Sequence, residues 1–334
     1  MRDISVVFDL MISEMRCKRM SFAPFSRTLS TTLASLLLTS GVVLAGHDST
    51  VPTQVEQPRG IELTDYVQAW PGLESYVVRV RQGARLGVES DLRHLVRATA
   101  SSDGALNLLA QLQREDDNLD EAEILIERAI SSNPQQHLHY FQQAMIFFAR
   151  LSHASGSLAR WKWQRKTRDA YQKAFELNPR PVPYRYYLAY TYVQTPGFVG
   201  GDKDKALRLA REGIDTGQKE FYVVRADVHR LRGELDLAFA DYDRAIAERV
   251  FKLNSFLAAA RLALERKDWH RAKTYFEWAV SCRPDSPRTH EGLGDYYATV
   301  GDRRAATAAY EAALGVDPDH SQAREKLAKL QRPK

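Results

Sequence analysis

The 334-residue chain is poor in cysteine, with only Cys17 and Cys282. Two thiols cannot build a disulfide framework, so the fold must rest on buried apolar surface. A dominant charge is also missing, since 47 Lys and Arg stand against 42 Asp and Glu. A balance that close gives no global field towards nucleic acid, and no nucleic-acid partner is expected. Long apolar runs are absent. The charge-free run Leu33 to Ala45 is shorter than the roughly 20 residues a comfortable bilayer span needs. Chemistry-bearing constellations fail too. His137 and His139 are two apart, so on a helix they face different ways, and no third ligand stands nearby. Asp202 and Asp204 lack calcium-loop spacing. No Ser or Cys has the setting of a nucleophile. These absences argue against an enzyme, a metal site and a cofactor.

What is present at the N-terminus is an address. Arg16, Lys18, Arg19 and Arg27 precede the apolar run, Val43 and Ala45 offer small residues for a signal peptidase, and a polar stretch follows. That is the three-part plan of a secretory signal over residues 1–45. An uncleaved anchor is the alternative. Asp3, Asp9 and Glu14 are odd in a basic leader and point to a start at Met15 or Met20. Cleavage after Ala45 leaves 42 basic against 39 acidic residues and a single cysteine, Cys282. The expected chain is therefore exported, periplasmic or secreted, with no transmembrane span after cleavage. Residues 46–60 read as a flexible linker. Residues 61–102 read as a pre-repeat segment: "ESDLRHLVRATA" looks helical and suited to capping, whereas "SYVVRVRQGARLGV" stays open between helix and hairpin.

The rest of the chain repeats. His290, Leu293, Gly294, Tyr297, Gly301, Ala306, Tyr310, Ala313 and Pro318, moved back by 34, fall on Phe256, Ala259, Ala260, Ala263, Lys267, Ala272, Phe276, Ala279 and Pro284. A second step of 34 reaches Tyr222, Arg225, Ala226, His229, Gly233, Ala238, Tyr242, Ala245 and Val250. Small residues fall on small and aromatics on aromatics. The small ones suit a close crossing of two helices, and proline ends the second helix because it has no amide to donate. The frame runs upstream with starts near 103, 137, 182, 219, 253 and 287. Residues 321–334 carry one apolar stripe, Ala323, Leu327 and Leu330, as a capping helix needs.

This spacing resembles the tetratricopeptide repeat over residues 103–330. The resemblance implies an all-α fold: a right-handed superhelical solenoid of about six helix pairs with a C-terminal capping helix. It also implies a concave groove lined by each first helix, where a protein or peptide partner would lie. At helical spacing Phe141, Met145 and Phe148, then Tyr186 and Tyr190, then Asp227, Arg230 and Arg261, with Glu291 and Asp295 beyond, should face inward. Asn107, Gln111 and Arg114 belong to the other end. The Lys, Asn and Arg set by which chaperone-type repeats clamp a C-terminal carboxylate is absent in this frame, so a free C-terminal carboxylate is not the expected ligand.

Two stretches interrupt the period. "TPGFVGGDKDKA", Thr195 to Ala206, is glycine-dense and holds a lysine. A phosphate loop needs glycine where Asp202 stands and a hydroxyl where Asp204 stands, and it follows a strand rather than a helix. The stretch reads as a lengthened turn between two helices, with Asp202 or Asp204 capping the second. "PGFVGGDKDKA" also resembles a segment of exported bacterial repeat proteins of undefined role. The other stretch, "ARWKWQRKTR", mixes Arg160, Lys162, Arg165, Lys166 and Arg168 with Trp161 and Trp163. It reads either as a lengthened helix packed on its neighbour or as a contact for an anionic envelope component, lipid or polysaccharide. Two functions follow: a non-catalytic scaffold for a peptide or protein, or an envelope-associated adaptor.

Overall fold

The computed structural model describes residue 66, residues 68–99 and residues 102–331. The signal segment 1–45 and the linker 46–60 lie outside the described residues. After a 3-10 turn at Pro71–Leu73 come α1 (Glu74–Arg81) and α2 (Arg85–Ala98). The stretch left open between helix and hairpin is thus helical, broken at Gly83 (φ 86°). Antiparallel pairs follow: α3 (Asp103–Glu115) with α4 (Leu119–Ser132), α5 (His137–His153) with α6 (Ser157–Leu177), and α7 (Val182–Gln194) with α8 (Lys203–Asp215). Then come α9 (Phe221–Arg232) with α10 (Leu235–Ala247), α11 (Leu253–Glu265) with α12 (Trp269–Cys282), and α13 (Pro287–Val300) with α14 (Arg303–Val316). Helix α15 (Ser321–Gln331) closes the array. Each second helix packs on its own first helix and on the next pair's first helix. First helices also touch directly, α3 with α5, α7 with α9 and α11 with α13, so they form the inner row. The result is an all-α repeat solenoid.

The recurring residues explain the stacking. Ala110, Ala144, Ala189, Ala226 and Ala260, one on each of five successive first helices, are fully buried. Gly294 takes the same place in α13, where an added Cβ would come within 2.5 Å of Tyr310. Opposite them Ala122, Ala206, Ala238, Ala272 and Ala306 are equally buried in second helices. Only side chains this small let two helices of a pair cross closely. Asp202, Asp268 and Asp302 cap α8, α12 and α14, each accepting from a backbone amide of the first turn.

Two kinds of turn separate the repeats. Helices α4, α6, α12 and α14 stop just before Pro134, Pro179, Pro284 and Pro318. Helices α8 and α10 lack such a proline and end instead in left-handed residues, Gly217 (φ 82°) and Arg249 (φ 58°). Within pairs, Gly233 and Gly301 turn the chain at φ 78° and 88°, and at the same place in the period Asp117 and Lys267 adopt φ 67° and 62°.

Both ends are sealed. Trp70 lies over Gly104 and stacks on the His139 ring at 5.4 Å. The Tyr66 hydroxyl reaches Asn107 Oδ1 at 2.9 Å and Gln111 Oε1 at 3.0 Å. Arg85 pairs with Glu115 at 2.8 Å. At the other end Lys326 of α15 donates to Glu291 at 2.5 Å and Asp295 at 2.7 Å, while His320 reaches Glu291 at 2.8 Å. Burial opposes the charge on Glu291, but the hydrogen bonds from Lys326 and His320 outweigh it and hold the carboxyl below its ordinary range.

Candidate interaction surfaces

The inner row does not present all the side chains expected of it. Phe141 is 3% exposed and Tyr186 and Tyr190 are 2% exposed, so these three are core and not open groove. The reason is the close approach of neighbouring first helices. Phe141 stacks on Tyr184 of the next pair at 4.9 Å and leans on Tyr171 at 5.6 Å. Tyr186 meets Phe221 edge-on, and the Lys252 ammonium sits 3.8 Å over the Tyr190 ring. Lys252 precedes α11 and falls outside the positions a repeat frame assigns inward, which is why its covering role is not readable from spacing. Asp227 is likewise core and not open groove. It is 1% exposed and accepts from Tyr242 and Ser255, both at 2.6 Å, and from Arg230 at 3.3 Å. The Arg230 Nε donates to the Tyr242 hydroxyl at 3.2 Å. Burial, then the Asp227 charge, pushes the Tyr242 phenol well above its ordinary range.

What remains open on the inner row is smaller and mixed. Met145, Phe148, Gln111, Arg114 and Arg261 are half-buried. The Tyr171 hydroxyl donates to the Met145 sulfur at 3.1 Å. Among the described residues Arg261 makes no hydrogen bond or ion pair. The part of the inner row left open is therefore apolar on α5 and carries a cation on α3 and on α11.

Helix α6 shows three faces. On one, Trp163 packs on Phe147 at 5.7 Å, and Lys166 binds Glu123 of α4 at 3.2 Å. Arg150, Lys162 and Lys166 gather over the Trp163 ring at 5.2, 5.0 and 4.9 Å. Trp163 and Lys166 are thus part of the packing of the array and not of a free patch. On the second face, Trp161 meets Phe198 edge-on at 4.9 Å, and Arg168 donates to the Val199 carbonyl at 3.0 Å. The third face carries Leu158 and Arg165, both exposed, with the exposed Lys162 at its border, its ammonium turned towards the Trp163 ring, while Arg160 is half-buried beside it.

The glycine-dense stretch is the other half of that second face. It makes a 3-10 turn at Gly197–Val199 and a left-handed Gly200 (φ 103°). A side chain on Gly200 would overlap the Arg168 guanidinium, and one on Gly201 would overlap the Thr195 carbonyl. Asp202 then caps α8 through Asp204 N at 3.0 Å and Lys205 N at 2.9 Å. The loop borders an open cleft of about 540 Å³ with Arg168, Gln172, Tyr192 and Lys205 on its walls. Arg168 pairs with Asp169 at 2.5 Å, and Lys205 lies 3.9 Å from Asp202, so carboxylates answer the cations a phosphate would need. Among the described residues no cluster of three or more His, Cys, Asp or Glu could hold a metal, and no helix is long and apolar enough to cross a membrane.

Comparison with known proteins agrees with this architecture. Sequence profiles of the tetratricopeptide repeat match residues 104–136, 257–299 and 292–332. No curated protein matches in sequence. Solved structures do match in fold. A tetratricopeptide repeat protein from Parabacteroides merdae aligns with 16% identity over 80% of this chain and 99% of its own, at a TM-score of 0.57. Cut9-Hcn1, the APC/C hetero-tetramer, aligns with 12% identity over 81% of this chain and 51% of that chain, at 0.55. PilW, a widely conserved type IV pilus biogenesis factor, aligns with 15% identity over 67% of this chain and 98% of its own, at 0.53. The matched stretches are tetratricopeptide repeats and the remaining pairs share their fold, so the chain is a tetratricopeptide repeat protein. Such an array is a protein-interaction scaffold in general terms.

Proposed function

We propose that the chain is a non-catalytic scaffold that holds a peptide or protein segment against the inner row of first helices, and that it works after export, in the periplasm or outside the cell. The observation that carries the groove is that Met145 and Phe148 on α5 and Arg261 on α11, all on first helices, stay half-buried, and that Arg261 makes no ion pair among the described residues. Apolar side chains left partly open on a row that also carries such a cation suit a segment with an apolar anchor and an acidic residue. Export rests on the basic, apolar and small-residue order of residues 16–45. The test is a photo-crosslinking residue placed at Phe148 or Arg261 in the exported protein, with Ile124 on an outer helix as control. Capture of one partner from the inner positions and none from Ile124 is expected. Capture from Ile124 alone refutes the groove. Truncating Tyr186 and Tyr190 is unsuitable for this purpose, since both are core.

A second reading has its own support. No carboxylate occurs from Ala154 to Arg168, and Lys162 and Arg165 face outward there. That face suits an anionic envelope component.

A further inference from the structure

The two stretches that interrupt the period lie in different repeats, yet the fold brings them to one place. The α5–α6 hairpin is lengthened in its helices, which run to 17 and 21 residues, and the α7–α8 connection is lengthened into the glycine loop. Trp161 and Phe198 close the space between them, with ring centroids 4.9 Å apart and planes at 87°. Arg168 fastens the loop from below by donating to Val199 O. The loop glycines are required here, because Gly200 leaves the room that the guanidinium fills. This arrangement leaves two large apolar side chains outside on one surface. Leu158 is 79% exposed and Phe198 is 76% exposed. Beside them stand the exposed cations Lys162 and Arg165. Neither cation has an ion pair among the described residues. Acids near this helix are engaged elsewhere: Asp169 with Arg168, and Glu123 with Arg150 and Lys166.

We propose that this composite tip, formed by the first turns of α6 and the Phe198 loop, is a docking surface for a bilayer containing anionic phospholipid. The inference rests on the second reading above and adds the loop, the apolar contacts and the kind of anion. The charge selects an anionic partner. The size selects a membrane over a protein. Two protruding apolar side chains and a half-covered tryptophan fall far short of the roughly 800 Å² per partner that a stable protein interface buries. Interfacial binding needs less, because a few apolar groups enter the acyl boundary while lysine and arginine stay among the headgroups. Tryptophan, apolar in body with one polar N–H, suits that boundary. A soluble polyanion such as a polysaccharide would use Lys162 and Arg165 and would have no use for Leu158 or Phe198.

The experiment uses the whole chain with vesicles of phosphatidylcholine, with or without phosphatidylglycerol. Vesicles carrying brominated acyl chains quench tryptophan that enters them. Quenching is expected only with phosphatidylglycerol present, and Trp161→Phe should remove most of it. That readout reports the tip even if the N-terminal apolar run also holds the chain to the vesicle. Leu158→Ser with Phe198→Ser should weaken the phosphatidylglycerol-dependent binding about tenfold or more. These side chains are exposed, so the thermal transition should not move, and that control accompanies the result. If Lys162→Glu with Arg165→Glu abolishes binding while the Leu158 and Phe198 pair changes nothing, the cationic face stands and the composite tip falls. If quenching survives Trp161→Phe the composite tip falls, and if no variant affects binding the anionic-lipid form of the second reading falls with it.

Discussion

At the scale of single residues, two sets of positions carry the fold. The buried alanines and Gly294 are legible in sequence because only a small side chain fits a close helix crossing, and the period of 34 marks them. Ala272→Trp and Ala306→Trp therefore each overpack a fully buried site and should cost about 1–3 kcal/mol or more. Equilibrium denaturation of each variant measures it, and an unchanged midpoint would refute the repeat frame. The turn inside each pair is only half legible. Glycine announces the left-handed backbone at 233 and 301, whereas Lys267 adopts the same conformation at φ 62° without announcing it. A left-handed backbone costs a residue with a side chain about 1–2 kcal/mol, and glycine's added freedom in the unfolded chain offsets about 0.5–1 of that. Lys267→Gly should thus stabilise the protein by about 0.5–1 kcal/mol, read as a higher denaturation midpoint. Asp117→Gly should gain less, since aspartate tolerates the left-handed region better than lysine.

At the scale of elements, the ends of the array respond to pH. His139 is fully buried between Asp103, 3.1 Å from Nε2, and the Asn107 amide, 2.8 Å from Nδ1, with Trp70 stacked on its ring. Burial lowers its pKa below the ordinary 6.5, and the nearby Asp103 charge only partly restores it. The unfolded chain therefore binds a proton at a higher pH than the folded chain does. Stability from this group is complete above about pH 6.5 and is lost as pH falls from there through the folded value. Urea midpoints at intervals between pH 8 and 5 should show that fall, and His139→Gln should flatten it. The Glu291 contribution at the α15 end has the same sign but lies lower. It is present above the ordinary carboxyl value of about 4.5 and goes as pH drops below it. Of the elements themselves, repeat pairs were legible because periodicity survives burial. The meeting of Trp161 with Phe198 was not, because it joins two insertions, and insertions by definition fall out of the period. The same limit hid the burial of Tyr186 and Tyr190: helical spacing says which way a side chain points, not what the next helix places over it.

At the scale of the whole molecule, export makes the earliest prediction that can be checked. Protein recovered from the cell envelope or medium should begin near Gly46 by N-terminal sequencing, and a cytoplasmic chain that keeps Leu33 to Ala45 would refute the address. The architecture also fixes how the array answers force. A solenoid of nearest-neighbour contacts is a spring, and its stiffness is set at the joints between coils. Joints at Pro134, Pro179 and Pro284 have one backbone angle locked by a ring. The joints on either side of α9 and α10 instead turn on Gly217 and Arg249, with no such lock. Under tension the fourth coil is the compliant one, and a partner seated along the inner row would feel the array flex there first.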